Sequence, residues 1–359
     1  MTTNVNGPSF SWKKMIRAIV LWFDSEADSD PVEGLSKAEQ MKVQWVRCLP
    51  FLIVHLGCIG LLWVGWSPVA LVVCLIAFWL RMFAITAFYH RYFAHRSFKA
   101  NRFWQFVFAV LGNTAAQRGP LWWASHHRLH HKHSDTEADI HSPVTNSFFW
   151  SHIAWFMSRK GYRTDYSVIK DLAKFPELRF LNRFDALVPV LFGFAMFGLG
   201  WLLEVVWPEL GTNASQMLVW GFFVSTVLLF HATFTINSLG HVWGRRRFET
   251  KDQSRNNPWL ALLTLGEGWH NNHHRFAASA RQGFYWYEID ISYALLKVLS
   301  LAGVVRDLNP VPKHILVEGK TGLRRDQQER QLLEKARQEQ ERKNQVLMNQ
   351  KSMKPEQAS

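Results

Sequence analysis

Four apolar stretches decide most of what this chain can fold into. Leu49 to Trp66, Val69 to Phe88, Ala186 to Trp207 and Met217 to about Ser238 each approach the roughly 17–25 apolar residues that a helix needs to cross a bilayer. Arg81 and Glu204 interrupt two of them near an end, where snorkelling or pairing is feasible. Helices buried in a large soluble core would be the alternative. Their length, the tryptophans at several ends (Trp63, Trp66, Trp201, Trp207, Trp220) and the distribution of charge all count against it. Composition hides this segregation: 48% hydrophobic residues with 19% charged ones would suit a soluble domain, but here the polar residues come in blocks. Aromatic residues at 14% exclude disorder. Cys48, Cys58 and Cys74, widely spaced in or beside apolar runs, exclude a disulfide scaffold and are expected as buried thiols in a reduced compartment.

The net charge of +13 is a marker of topology. The segment Tyr89 to Asp185 holds 14 Lys and Arg and the first 48 residues hold six, whereas Ser67-Pro68 and the loop Pro208 to Gln216 hold none. Both termini and the long central segment are therefore expected in the cytoplasm, with two tight hairpins on the far side. The cations follow membrane-proximal segments instead of forming a compact basic module, so nucleic acid is not an expected partner. Lys13, Lys14 and Arg17 ahead of Ala18 to Phe23 fall short of a signal peptide, six apolar residues being too few. The expected organisation is a cytoplasmic segment 1–48, a main domain 49–312 and a charged tail 313–359. Phe103 to Gly112, too short to cross, is expected as an amphipathic or re-entrant helix at the cytoplasmic interface, and Gly322 to Ser359 as a solvated helix or disordered tail. The fold class is all-α: four membrane helices with a helical cap on the cytoplasmic side.

That cap carries an unusual load of histidine. His90 and His95 stand in HRYFAH, where the second span emerges; His127, His130 and His131 stand in HHRLHH; His270, His273 and His274 stand in HNNHH. His241 follows Asn237 by four residues. On a helix, positions i, i+3 and i+4 share a face, so each HxxHH motif can aim three imidazoles into one volume. Neutral imidazole suits Fe, Zn, Cu and Ni, and a single metal takes about three or four protein ligands, so nine histidines point to two metals. A metal carrier or sensor would share this feature. A transporter would set its ligands near the bilayer midplane, where only His55 and His231 lie, and these two are expected as hydrogen-bonded histidines outside the metal site.

The strings HRYFAHR, WASHHRLHHKHSDTEADIHSP, NSLGH and GEGWHNNHHRF resemble the histidine boxes of the membrane-bound fatty acid desaturases, in particular the acyl-CoA Δ9 (stearoyl-CoA type) branch and its bacterial members, from about Leu49 to Pro312. The resemblance implies a di-iron centre with His90, His95, His127, His130, His131, His241, His270, His273 and His274 as ligands and Asn237 holding a water on one iron. His126 stands where the animal enzymes have an acidic residue, and it and His133 are expected behind the ligands or at the surface. His141 and His152 are expected in packing or hydrogen bonding. Asp135, Glu137, Asp139 and Glu267 lie beside the boxes and are candidates to orient the imidazoles, Glu267 by sharing a helix face with His270.

Removing hydrogen from unactivated methylenes needs a metal and O2, because no side chain is a strong enough oxidant. The expected reaction is O2-dependent introduction of a cis double bond, at Δ9, into a saturated acyl chain held in an apolar tunnel beside Trp122, Trp123, Trp150 and Trp155. Histidine-box hydroxylases or ketolases of fatty acids, alkanes or carotenoids are the nearest alternative. The chain shows no flavin, dinucleotide, CxxC or haem signature, so two electrons are expected from a separate ferredoxin or b-type cytochrome with its reductase, drawn to Arg245, Arg246 and Arg247. The remaining expected partners are membrane lipids and an acyl-CoA or other acyl carrier; the expected site is a bacterial inner membrane.

Overall fold

Among the described residues, four helices are long and apolar enough to cross a membrane: Trp45–Val64, Pro68–Ala94, Leu187–Val206 and Ala214–His241. They overlap the four expected stretches. The computed structural model describes residues 12–27, 32 and 34–352, so the first eleven residues and the last seven lie outside the described residues. The first span ends at Gly65, whose φ of 62° suits glycine. The second begins at once, with Ser67 accepting a hydrogen bond from the Ala70 amide and Pro68 in the first turn. Asn213 caps the fourth span in the same way, through the Gln216 amide.

The second and fourth spans form the centre of the bundle: 50% and 56% of their apolar windows are buried, against 11% and 22% for the first and third. Arg81 does not snorkel. It is buried between the central spans and donates to Ser225 Oγ (2.5 Å), Thr226 Oγ1 (2.7 Å) and the Ala77 carbonyl (2.9 Å), so its charge is shared over fixed acceptors. Glu204 is exposed near the end of the third span.

Both central spans run beyond their expected ends, and these extensions carry His90 and His241. The second changes winding to do so. From Ala84 to Ala94 it is a π-helix, in which the His95 amide bonds to the His90 carbonyl at 3.2 Å. In an α-helix, residues five apart point about 140° from each other. The wider turn brings them round, and the His90 and His95 rings stand 4.9 Å apart.

At this end of the bundle lie the helices Arg102–Asn113 and Pro120–His133, both packed on the 84–94 stretch, together with Phe148–His152 and His270–Arg275. An apolar cluster around Phe88, Tyr89, Phe93, Phe108 and Leu121 joins the first two of these helices to the second span. Arg102–Asn113 buries Phe108 and Ala109 and leaves Phe103, Phe106 and Leu111 exposed, the amphipathic pattern expected of it. Trp12–Phe23 packs on the start of the first span and exposes Trp12, Ile16 and Phe23. Among the described residues there are isolated bridges but no strand ladders. Lys313–Ser352 is one helix whose first turns dock through Ile315 against Phe248 and Phe284 and whose later turns, 331–345, are exposed. Cys48 and Cys74 are buried and Cys58, contrary to expectation, is half-buried; all three are free.

Candidate metal centre

The structure brings all nine singled-out histidines together, and divides them. His90, His95, His127, His131 and His273 form one group and His130, His241, His270 and His274 the other, with ligand-capable atoms within 4.8 Å of one another in each. In the first group the Nε2 atoms converge: His90 to His273 3.0 Å, His273 to His131 2.8 Å, His131 to His127 3.0 Å, and His127 to His95 2.7 Å. In the second, the Nε2 atoms of His241 and His270 lie 3.1 Å apart. The HHRLHH box is itself split: His127 and His131 fall in one group and His130, on the same helix, in the other.

Several rings are held from behind. Asp139 pairs with His130 Nδ1 (2.9 Å), Asp135 with His241 Nδ1 (2.9 Å), and Asp252 with His274 Nδ1 (2.7 Å), while Glu267 contacts His90 Nδ1. Binding the proton on Nδ1 leaves the Nε2 lone pair facing the group. Asp135 reaches His241 because its backbone is left-handed (φ 57°), a conformation that aspartate tolerates.

Two expected orienting carboxylates need correction. Glu137 is exposed and pairs with Lys37, because the turn after the 120–133 helix sends Asp135 and Asp139 inward and the residue between them out. Glu267 is in place but serves His90 and not His270, since the helix begins only at His270 and the preceding turn points Glu267 the other way. It is held in turn by the buried Arg91 (3.0 Å), which also binds Asp290 (2.9 Å).

Sequence reasoning missed Asp252 and Gln282. Gln282 Nε2 lies near Glu267 (3.2 Å), His90 Nδ1 (3.3 Å) and His273 Nδ1 (3.5 Å). Neither residue belongs to a motif; both come from loops placed only by tertiary packing. Asn237 lies one turn before His241 and lines a cavity that His127 also lines. His126 is buried against the Arg163 carbonyl (2.9 Å). The His141 ring lies tilted against His130, centroids 4.5 Å apart, with its Nδ1 3.6 Å from Asp139. His152, His231 and His55 form a separate hydrogen-bonded chain, with steps of 3.1 and 3.3 Å. The expected basic docking face is also reduced: Arg247 is buried against Glu288 (2.6 Å) and Arg246 holds the Thr250 and Asp252 carbonyls (2.9 Å each).

The electrostatics suit metal binding. Burial first, and then the neighbouring imidazoles, hold His95, His127, His131, His270 and His273 well below the usual histidine range, so these rings are neutral. Burial pushes His274 down to about 4 against the pull of Asp252. Burial would lower His130 too, but Asp139 beside it prevails and raises it. The buried Nε2 of His274 has no hydrogen-bond partner, a costly arrangement unless it ligates. Convergent imidazoles, four of them held at Nδ1 by carboxylates, and an orphaned Nε2 at His274 fit metal binding in the two groups.

Beside the histidines lies a cavity of about 450 Å³. Trp122, Trp123 and Trp155 line it as expected, together with Phe222, Phe230 and Phe234. Trp150 does not; it packs around Cys48 and Met157 and donates to the Ile140 carbonyl (2.8 Å).

An all-helical protein with four membrane-length helices, two histidine groups able to hold metal ions and an adjoining apolar cavity is a narrow class. This chain belongs to the fatty acid desaturase family, whose profile matches residues 64–299. It is 32% identical over 283 residues to an sn-1 stearoyl-lipid 9-desaturase of Anabaena variabilis, covering 78% of this chain and 98% of that protein. It is 36% identical over 311 residues to an acyl-CoA 5-desaturase of Anemone leveillei, covering 83% and 92%. A probable chloroplastic lipid desaturase of Arabidopsis thaliana is 38% identical over 239 residues, covering 66% of this chain and 62% of that protein, so the match spans less than two thirds of that relative. The relatives' names divide between lipid and CoA substrates, and the expected acyl-CoA branch is not singled out.

Proposed function

We propose that the protein is an O2-dependent acyl desaturase that places a cis double bond at Δ9 of a saturated chain, with one iron in each histidine group and two electrons from a separate donor protein. The observation that carries this reading is the five-plus-four division of buried, convergent imidazoles beside an apolar cavity that His127 and Asn237 both line. Names of relatives that specify 9-desaturation support the position. Bound iron would supply the oxygen chemistry that side chains lack. The chain's own residues do the rest. Asp135, Asp139, Asp252 and Glu267 fix ring tautomers, Asn237 would hold a water for one of the bound metals, and the aromatic wall would hold the methylenes at a fixed depth while excluding bulk water. Regiochemistry must come from this shape, because the methylenes of a saturated chain are chemically alike. The metal-bearing layer is assigned to the cytoplasmic side on the strength of the lysine and arginine asymmetry, with the charged segments 1–48 and 313–359 flanking the 49–312 domain.

The test is lipid analysis of membranes expressing the chain. Acyl chains should lose two hydrogens at C9–C10, and His127→Ala should abolish that product. Chains that gain oxygen, or unsaturation unchanged in the variant, would overturn the assignment.

A further inference from the structure

Three of the histidines outside the metal centre form a line instead of a cluster. His55 is halfway along the first span, His231 lies in the fourth, and His152 ends the helix Phe148–His152. His231 turns its Nε2 to His55 Nε2 (3.3 Å) and its Nδ1 to His152 Nε2 (3.1 Å). Because the middle ring gives a different nitrogen to each neighbour, the three do not aim at one point as the metal groups do. The ends of the line are anchored too: His55 Nδ1 meets the Phe51 carbonyl at 2.8 Å, and His152 Nδ1 meets Ser238 Oγ at 2.9 Å. A carbonyl only accepts, so His55 carries its proton on Nδ1, and in a neutral line that choice dictates the rest. His231 donates from Nε2 to His55, His152 donates from Nε2 to His231, and Ser238 donates to His152 Nδ1. Burial, and then His231, holds His152 below the usual histidine range, in keeping with a neutral line.

This line stands behind one wall of the cavity. Phe51, Phe230 and Phe234 line the cavity as a continuous stack, with ring centroids 5.5 Å apart for the first pair and 5.7 Å for the second. Each rests on a histidine. Phe51 lies 4.4 Å from the His55 ring, Phe230 6.1 Å from the same ring, and Phe234 5.8 Å edge-on from His152. The two spans that supply the wall are not held alike. Phe230 and Phe234 share a helix with Asn237 and His241, so a bound metal would fix them. Phe51 sits on the first span, which supplies none of the nine clustered histidines and buries only 11% of its apolar window. At the far end of that span Trp220 Nε1 of the fourth donates to the Gly65 carbonyl (2.8 Å); at the level of the cavity the first span is tied through His55 to His231. Breaking such a bond between spans leaves polar groups unpaired in hydrocarbon, so its geometry is not freely exchanged.

We propose that His55, His231 and His152 are positioning residues: their hydrogen-bonded line sets the depth and angle of the Phe51, Phe230 and Phe234 wall against the metal layer, and through it which pair of methylenes is presented for reaction. A wall that slips by the length of one C–C bond presents a different pair. This rests on the desaturase reading and names residues that give it its regiochemistry.

The experiment expresses the full chain in membranes and maps double-bond positions in the acyl products by mass spectrometry of their dimethyl disulfide adducts, alongside the elution and metal content of each purified variant. His55→Leu and His231→Leu, which keep the bulk and lose the hydrogen bonds, should each raise the fraction of double bonds at positions neighbouring the main one about tenfold, with metal content unchanged. His55→Gln, whose amide oxygen can still accept from His231, should keep the wild-type distribution. His152→Ala lies outside the spans and should scatter the product in the same direction; it decides the matter where a leucine variant does not elute as wild type. A wild-type distribution in these variants, or product lost in equal proportion at every position, would overturn the proposal and leave the desaturase reading intact. Scatter from His55→Gln equal to that from His55→Leu would overturn the role of the hydrogen bonds. Wild-type membranes that gain no unsaturation would overturn the desaturase reading itself.

Discussion

The two histidine groups are built from the same side chain but supported differently. In the group of four, three rings lean on aspartates: His130 on Asp139, His241 on Asp135 and His274 on Asp252. In the group of five, the support comes from Glu267 and the neutral Gln282, with Glu267 itself tied to Arg91. One group therefore has more ligands and little negative charge, the other fewer ligands and three nearby anions. The comparison sets ligand number against the charge behind the ligands as two different means of holding a cation.

The largest effect expected from this difference is in metal content. His270→Ala leaves three imidazoles in its group and should release about one metal ion per chain, whereas His95→Ala leaves four and should retain both at neutral pH; elemental analysis of the purified variants decides, and equal retention breaks the comparison. Next come the carboxylates. Asp135→Asn, Asp139→Asn and Asp252→Asn should each weaken metal affinity about 10–100-fold in competition with a chelator. Gln282→Ala should cost less than any of them, and an equal loss would show that charge is not what separates the groups.

Proton competition gives a smaller, graded effect. The histidine pKa values that burial lowers belong to both groups, and for His274 the folded value of about 4 lies below the ordinary 6.5. Between these values the unfolded chain binds more protons than the folded one, so stability rises with pH. The melting temperature of chelator-stripped protein should fall as pH is lowered from 6.5 towards 4. His130, raised by Asp139, works the other way but is outnumbered; a flat profile would mean that the rings titrate normally.

Smaller still is Gly240→Ala, whose methyl group would sit 3.1 Å from the His270 ring and nudge it. It should reduce metal affinity in the group of four and leave the group of five unchanged, as read by the same chelator competition. Glu137→Gln, outside both groups, should change neither.

Much of this architecture is legible in the residues because the membrane and the helix impose simple periods. Uninterrupted apolar runs locate the spans, and i, i+3, i+4 spacing gathers the second and third histidine boxes. The division of those boxes between two groups is not legible, because it depends on how the 120–133 and 270–275 helices face each other. Nor is Asp252 or Gln282, each brought in by a loop that no local pattern distinguishes. Asp135 and Asp139 could be suspected from proximity, but the same argument wrongly includes Glu137, since a turn and not a helix decides which acidic residue points inward. Trp150 fails for a related reason: aromatic character alone does not say which wall a ring joins.

The π-wound stretch Ala84–Ala94 leaves this part of the chain little room for changes in length. Removing one residue from it would turn everything beyond by roughly a quarter of a turn, carrying His95 away from the His127 ring that now stands 4.7 Å from it. The exposed turns at 331–345 meet no such constraint. Among related chains, insertions and deletions should therefore accumulate in the tail and be absent between Ala84 and His95, making the spacing of this stretch a more durable signature than the identity of most residues within it.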